Sequence, residues 1–306
     1  MAATGSNPII KVLITLYPGM DAMDVVGPLG VLSYARHDID DAKTKAFQIA
    51  LAAKENDAEE DDDAVPTQGA VSAQGTFVGA HMTYVEAYEC LEEFDILIVP
   101  GGGNTDDMVD MFDKSEPPEP LGLIKRYADI QAKDPKKERT LFAVSTGSLF
   151  LAHLGLLNGL SATTHPYEFT KFEKICSASA QRELADRCDV MEERYVVNNL
   201  RYDLGNLDEN PYVRRKADVA ARRPSMQQRK GSNAWKESNT RRESIIRRSE
   251  IRLGGLRVIT TGGMTCGFDA SLYLVAIMVS DEASAEVGRF MQYEWKKGIV
   301  IDGIDI

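Results

Sequence analysis

Cysteine and histidine are scarce in this chain, four of each in 306 residues. Cys90, Cys176, Cys188 and Cys266 form no CxxC pair and no Cys/His cluster, which excludes a zinc module and a disulfide frame. They read as reduced, mostly buried thiols of an intracellular protein. The histidines are scattered too, so no metal site is expected. Basic residues are outnumbered, 35 Lys and Arg against 47 Asp and Glu, for a net charge of −12. A nucleic-acid binder needs a basic face, so that class is excluded for the chain as a whole. No apolar run approaches the ~20 residues that span a bilayer. Met1 to Pro8 is small and polar and lacks the basic-then-apolar pattern of a secretion signal. Neither GxxxxGKS/T nor GxGxxG follows the first strand, which argues against a bound nucleotide. The expectation is a cytoplasmic protein with no cofactor and neither nucleic acid nor membrane as partner.

Hydrophobic residues make up 43% of the chain, enough for one large core or two small ones. Apolar runs of strand type alternate with stretches of helical spacing. Residues 9–16 read as a strand leaving through Tyr17-Pro18-Gly19, followed by a helix over 24–36 and a strand over 47–53. Residues 71–83 read as a short strand or hairpin. A buried strand over 94–100 ends at Gly101-Gly102-Gly103. A helix over 121–132, the strand opening at Thr140, a short strand over 161–166 running into a proline-started helix, and helical patches at 167–175 and 180–187 come next. Strands over 193–198 and 258–263 and closing helices over 268–280 and 283–293 complete the pattern. Such alternation predicts one α/β domain over 9–306, with a largely parallel central sheet and helices on both faces.

Two segments break the rhythm. Residues 54–63 are so densely acidic that they predict a solvated loop. Residues 203–252 carry 13 Lys and Arg against 7 Asp and Glu and few aliphatic side chains. That composition predicts an insertion that binds a partner or is mobile. Ser225, Ser232 and Ser244 each follow paired basic residues, as sites for a basophilic kinase would, and phosphate there would cancel the positive field. A solvated insertion without a regulatory role, or one that folds against the acidic loop, is the plainer alternative.

The centre of the chain is Thr140-Leu141-Phe142-Ala143-Val144-Ser145-Thr146-Gly147-Ser148-Leu149-Phe150. A strand-like run passes directly into helical spacing through small residues, which predicts a sharp turn with Ser145 at its apex. That is the geometry of a nucleophile elbow. A buried turn whose serine caps the helix fits the same residues.

Four segments together resemble the ThiJ/PfpI family of the class I glutamine-amidotransferase-like, flavodoxin-like fold. They are Tyr17-Pro18-Gly19 with Asp24-Val25-Val26-Gly27-Pro28, Val99-Pro100-Gly101-Gly102, Ala143 to Ser148 with Ala162-Thr163-Thr164-His165, and Thr261-Gly262-Gly263 with Gly267-Phe268-Asp269. Within the family they look most like isonitrile hydratases, which are lyases. They also resemble the amidase-like domain of certain transcription regulators, but no helix-turn-helix follows. The resemblance implies a homodimer, a small-molecule substrate and a cysteine at the elbow, where this chain has Ser145. A serine there needs a base, is inactive, or replaces a cysteine by engineering; the reading favours an engineered or crippled site.

By the same resemblance Asp24 pairs with the elbow residue and relays protons, although an Asp at a helix start also reads as an N-cap. The N–H groups of Gly101, Gly102 and Gly103 are candidates to stabilise developing charge, or form a plain turn. Thr146 stands where related proteases and glyoxalases have histidine, which disfavours those activities. Gly262 and Gly263 resemble the pocket wall. His165 is a further candidate, through a Ser145–His165–Asp24 triad, although a structural histidine bonded to backbone is the preferred reading. The rivals to hydration are a serine-dependent hydrolase using His165 or Asp24 as base, and a non-catalytic binding or signalling protein.

Overall fold

Val12, Leu13, Ile14 and Leu16 are fully buried, and a strand covered on both faces belongs in the middle of a sheet. In the computed structural model, which describes residues 8–55, 68–102, 105–112, 119–199, 213–215 and 252–302, that strand is β1 (Ile10–Leu16). It pairs in parallel with β2 (Phe47–Ala53) on one side. Helix α1 (Ala22–Tyr34) makes the crossover between them. The hairpin β3 (Gly69–Val71) and β4 (Phe77–Gly79) and the short β5 (Met82–Thr83) lead into α2 (Tyr84–Cys90). The second neighbour of β1 is β6 (Ile96–Val99), all four residues of which are buried. After β6 come α3 (Thr105–Phe112), α4 (Leu121–Lys133), β7 (Thr140–Ala143), α5 (Ser148–His153) and β8 (Ser161–Ala162). Then follow α6 (Phe169–Glu183), β9 (Asp189–Val190), β10 (Tyr195–Asn199), β11 (Val213–Arg215) and β12 (Arg257–Thr261). Helices α7 (Met264–Met278) and α8 (Asp281–Phe290) and strand β13 (Ile299–Asp302) end the described chain.

Nine strands form one sheet in the order β11-β13-β10-β12-β7-β6-β1-β2-β5. Every pairing in it is parallel except β10 with β12. Helices flank the sheet, as the alternating pattern predicts. Among the described residues no helix is long and apolar enough to cross a membrane.

Several expected boundaries move for local reasons. Asp21, not Asp24, caps α1, its side chain accepting from the Met23 N–H at 2.8 Å, so the helix starts at Ala22. The patches at 167–175 and 180–187 are one helix, α6, which stops where Leu184 turns left-handed (φ 52°). Helix α7 opens at Met264, ahead of the expected 268, because Gly263 is already its N-cap. Residues 299–302, unassigned from sequence, supply β13. From residue 56 on, the acidic loop lies outside the described residues. So do Gly103 and the basic insertion with Ser225, Ser232 and Ser244, except for residue 252 and for residues 213–215, which are the edge strand β11.

One buried charge fastens this frame. Asp269 of α7 is fully buried; its Oδ2 accepts from Arg194 Nε at 2.6 Å and its Oδ1 from the Lys296 N–H at 2.8 Å. The pair ties α7 to the start of β10 and to the approach of β13. Asp269→Ala removes the ion pair and leaves the Lys296 N–H without its acceptor, and is expected to cost about 1–3 kcal/mol, read as a lower urea midpoint at unchanged slope.

Candidate functional site

Open parallel sheets carry their sites at the carboxyl ends of the strands. Here β1, β6, β7 and β12 end side by side, and each contributes. Strand β7 runs into Val144, still extended, and then Ser145 reverses to φ 55°. A left-handed serine costs energy that the surroundings must hold. Three bonds do so. The Ser145 N–H donates to Thr261 Oγ1 at 3.2 Å, and its carbonyl accepts from Ser148 Oγ at 3.0 Å and Thr164 Oγ1 at 3.3 Å. Gly147 lets the bend press against β6: a Cβ there would lie 2.4 Å from the Val99 carbonyl oxygen. The elbow is therefore real.

The capping alternative fails, since the residue preceding α5 is Gly147 and Ser145 Oγ caps nothing. Ser145 is 5% exposed. Its Oγ makes no hydrogen bond among the described residues.

Asp24 lies in the first turn of α1 and is fully buried. Its Oδ2 accepts from the Gly101 N–H at 3.0 Å, while Oδ1 has no partner among the described residues. Burial above all, with the charge of Asp21 behind it, lifts its pKa to about 7, against the pull of the Gly101 N–H. The approach to α1 is itself pinned to the β6 exit, because the Asp21 N–H donates to the Gly101 carbonyl at 2.8 Å.

The glycine amides depart from expectation. Gly101 N–H is taken by Asp24, and Gly102 N–H donates to Thr146 Oγ1 at 2.8 Å. Thr146 Oγ1 in turn donates to the Gly102 carbonyl at 3.1 Å. Neither amide is a free donor for a developing oxyanion. They act inward, fixing the carboxylate and the elbow to one turn, and Thr146 is the latch. Gly101 has no room for a side chain: a Cβ would sit 2.6 Å from Thr146 Oγ1 and 2.7 Å from Asp24 Oδ2. Gly101→Ala therefore pushes the carboxylate from the elbow and is expected to destabilise the fold by about 1–3 kcal/mol. Loss of turnover beyond what a temperature-matched melt explains would report the displaced Asp24.

Gly262 N–H donates to the Arg194 carbonyl at 2.9 Å, and Gly263 caps α7 with His165 so near that a Cβ would lie 3.3 Å from its Cδ2. His165 Nδ1 accepts from the Tyr167 N–H at 3.3 Å. No hydrogen bond joins the imidazole to Ser145 or Asp24 among the described residues, so the triad is not formed. Sequence reasoning missed Thr261 as the clamp on the elbow amide, and Cys266, which lies in the first turn of α7 with Sγ 3.3 Å from where Gly262 would carry a Cβ. Among the described residues no group of three or more His, Cys, Asp or Glu side chains is placed to hold a metal ion.

Comparison with known proteins adds to this geometry. The sequence profile of the DJ-1/PfpI family matches residues 10–199. Solved structures that share the fold include a THiJ/PfpI family protein from Pseudomonas syringae, at 17% identity, with 95% of this chain and 78% of that one covered and a TM-score of 0.52. An AraC family transcriptional regulator from Pseudomonas putida matches at 12% identity over 92% of this chain and 99% of that one, with a TM-score of 0.52. DJ-1beta of Drosophila melanogaster matches at 12% identity over 94% and 100%, with a TM-score of 0.53. Among curated proteins none matches. At these identities the solved structures speak to the fold alone.

Proposed function

The chain belongs to the DJ-1/PfpI family, and from that premise we propose that its site adds water to a small organic substrate by isonitrile hydratase-like chemistry, with Ser145 in the nucleophile position and Asp24 moving the proton. The observation that carries this reading is Asp24: a sealed carboxyl with one oxygen anchored on Gly101 and the other unpaired among the described residues. A buried acceptor without a partner is costly to keep charged, which favours the protonated carboxyl. A pKa of about 7 leaves both protonation forms populated at neutral pH, which suits a group that takes a proton and gives it back.

In this reading the elbow residue attacks the terminal carbon of R–N≡C, and the proton relayed by Asp24 ends on that carbon. Water then adds to the resulting imidate, the bond to the enzyme breaks, and R–NH–CHO leaves. The hydrolase alternative needs a base for Ser145 other than His165, whose Nδ1 is committed to backbone. A homodimer belongs to the same proposal and is read by sedimentation. The test is to incubate the native chain and Ser145→Cys with cyclohexyl isonitrile and follow N-cyclohexylformamide by mass spectrometry. Formamide from Ser145→Cys supports hydration. None from either chain overturns it and leaves a binding protein.

A further inference from the structure

The hairpin β3–β4 is a sheet of its own, yet its tip is bonded to the turn between β1 and α1. The Gly19 N–H donates to the Val71 carbonyl at 2.9 Å, and the Ala73 N–H donates to the Met20 carbonyl at 2.8 Å. Gln74 continues the contact with its side chain. Its Oε1 accepts from the Ala22 N–H at 3.0 Å, and its Nε2 donates to Asp21 Oδ2 at 2.7 Å. Ala22 is the first residue of α1, so the hairpin takes up one of the amides that a helix leaves unbonded at its start. The tip that presents Gln74 is itself fixed. Gly75 turns left-handed (φ 77°), its N–H donates to the Ser72 carbonyl at 2.9 Å, and the Thr76 N–H donates to Ser72 Oγ at 3.1 Å.

The carboxylate that Gln74 holds is next to the site. Asp21 Oδ1 accepts from the Met23 N–H at 2.8 Å and Oδ2 accepts from Gln74, so both oxygens are engaged. Asp21 and Asp24 stand three residues apart at the head of α1, a spacing that puts their side chains on one face. They are also joined through one residue: the Gly101 carbonyl accepts from the Asp21 N–H at 2.8 Å, and the Gly101 N–H donates to Asp24 Oδ2 at 3.0 Å. Among the described residues, the other ionisable groups that feel the Asp24 charge are Tyr17 at the exit of β1 and Cys266 in the first turn of α7. Burial above all holds both of these protonated. Asp21 is therefore the charged neighbour.

We propose that Gln74 is a positioning residue of this site: by holding the Asp21 carboxylate against the head of α1, it fixes the negative charge beside which Asp24 takes up and releases its proton. The role rests on the hydration reading, in which Asp24 moves the proton. Without Gln74, Asp21 Oδ2 turns to water and its field at Asp24 weakens. Asp24 then gives up its proton at lower pH.

The test follows the 13C resonance of the Asp24 carboxyl carbon through a pH titration of the full chain labelled in aspartate, assigned by its loss in Asp24→Asn. The chains are the native protein, Gln74→Met, Asp21→Asn and the double variant. Methionine matches glutamine in length and makes neither bond, while asparagine keeps an oxygen for the Met23 N–H and so preserves the cap of α1. The midpoint near 7 is expected to fall by roughly half a pH unit or more in Asp21→Asn and by part of that in Gln74→Met. The double variant falls no further than Asp21→Asn alone. A midpoint that Gln74→Met leaves in place overturns the assignment. So does one that Gln74→Met still lowers when Asp21 is already asparagine.

Turnover separates positioning from mere support. In the Ser145→Cys chain, Gln74→Met should move the rise of cyclohexyl isonitrile hydration to lower pH together with the resonance, which makes the variant about twofold faster at pH 6. A variant slower at every pH, with its midpoint unmoved, overturns the positioning role. No formamide from any chain overturns the hydration reading and leaves the resonance to decide the role of Gln74.

Discussion

Ser145→Cys raises formamide production at neutral pH by at least about 100-fold. Ser145 Oγ has no hydrogen-bond partner among the described residues and so no base in contact to take its proton. Helix α5 has only six residues, and a helix terminus contributes only ~0.3–1 kcal/mol to an anion, about fivefold in rate. A serine hydroxyl ionises far above neutral pH, whereas a cysteine thiol is already a few per cent thiolate at pH 7 and intrinsically more nucleophilic. Replacing an unbonded hydroxyl forfeits no existing contact, and the left-handed bend is held by the Ser145 backbone, not by its side chain. The variant should therefore fold like its parent. Equal rates with serine and cysteine would mean that position 145 does not meet the substrate.

Much of this arrangement is legible in the chain because buried strands of a parallel sheet read as unbroken apolar runs. Ile96–Val99 and Thr140–Ala143 are such runs, each fully buried. The elbow is legible for a related reason: a strand that meets a helix through Ser145-Thr146-Gly147 leaves no room for a loop. What sequence does not resolve is direction. Asp21 and Asp24 are both acidic residues at a helix start, and only packing decides that the first caps and the second is buried. The glycines after β6 are plainly a turn, but whether their amides face a substrate or the protein depends on Asp24 and Thr146, distant in sequence. Cys266 has the same ambiguity, since neighbouring glycines and a threonine mark a helix start without saying where the thiol points. Strand β13 is too short to announce itself and is made a strand by its neighbours, β10 and β11.

Asp24→Asn should do two opposite things, and both follow from one carboxyl. The folded chain holds this proton to about pH 7, while the unfolded chain releases it near 3.8. Because the folded value is the higher one, the contribution of Asp24 to stability is fully present below about pH 4 and is lost as pH rises through about 7. At pH 8 a buried carboxylate is carried at a cost of roughly 2–4 kcal/mol. Asparagine cannot ionise, and its carbonyl can still accept the Gly101 N–H. The variant should be the more stable protein at pH 8, with an advantage that grows between pH 4 and 7 and vanishes below about 4. Urea midpoints across that range measure it, and an advantage independent of pH would mean that burial does not raise the Asp24 pKa at all. Activity runs the other way. An amide cannot take a proton, so turnover should fall by about 10²–10⁴, and the native rise in rate through about pH 7 should flatten.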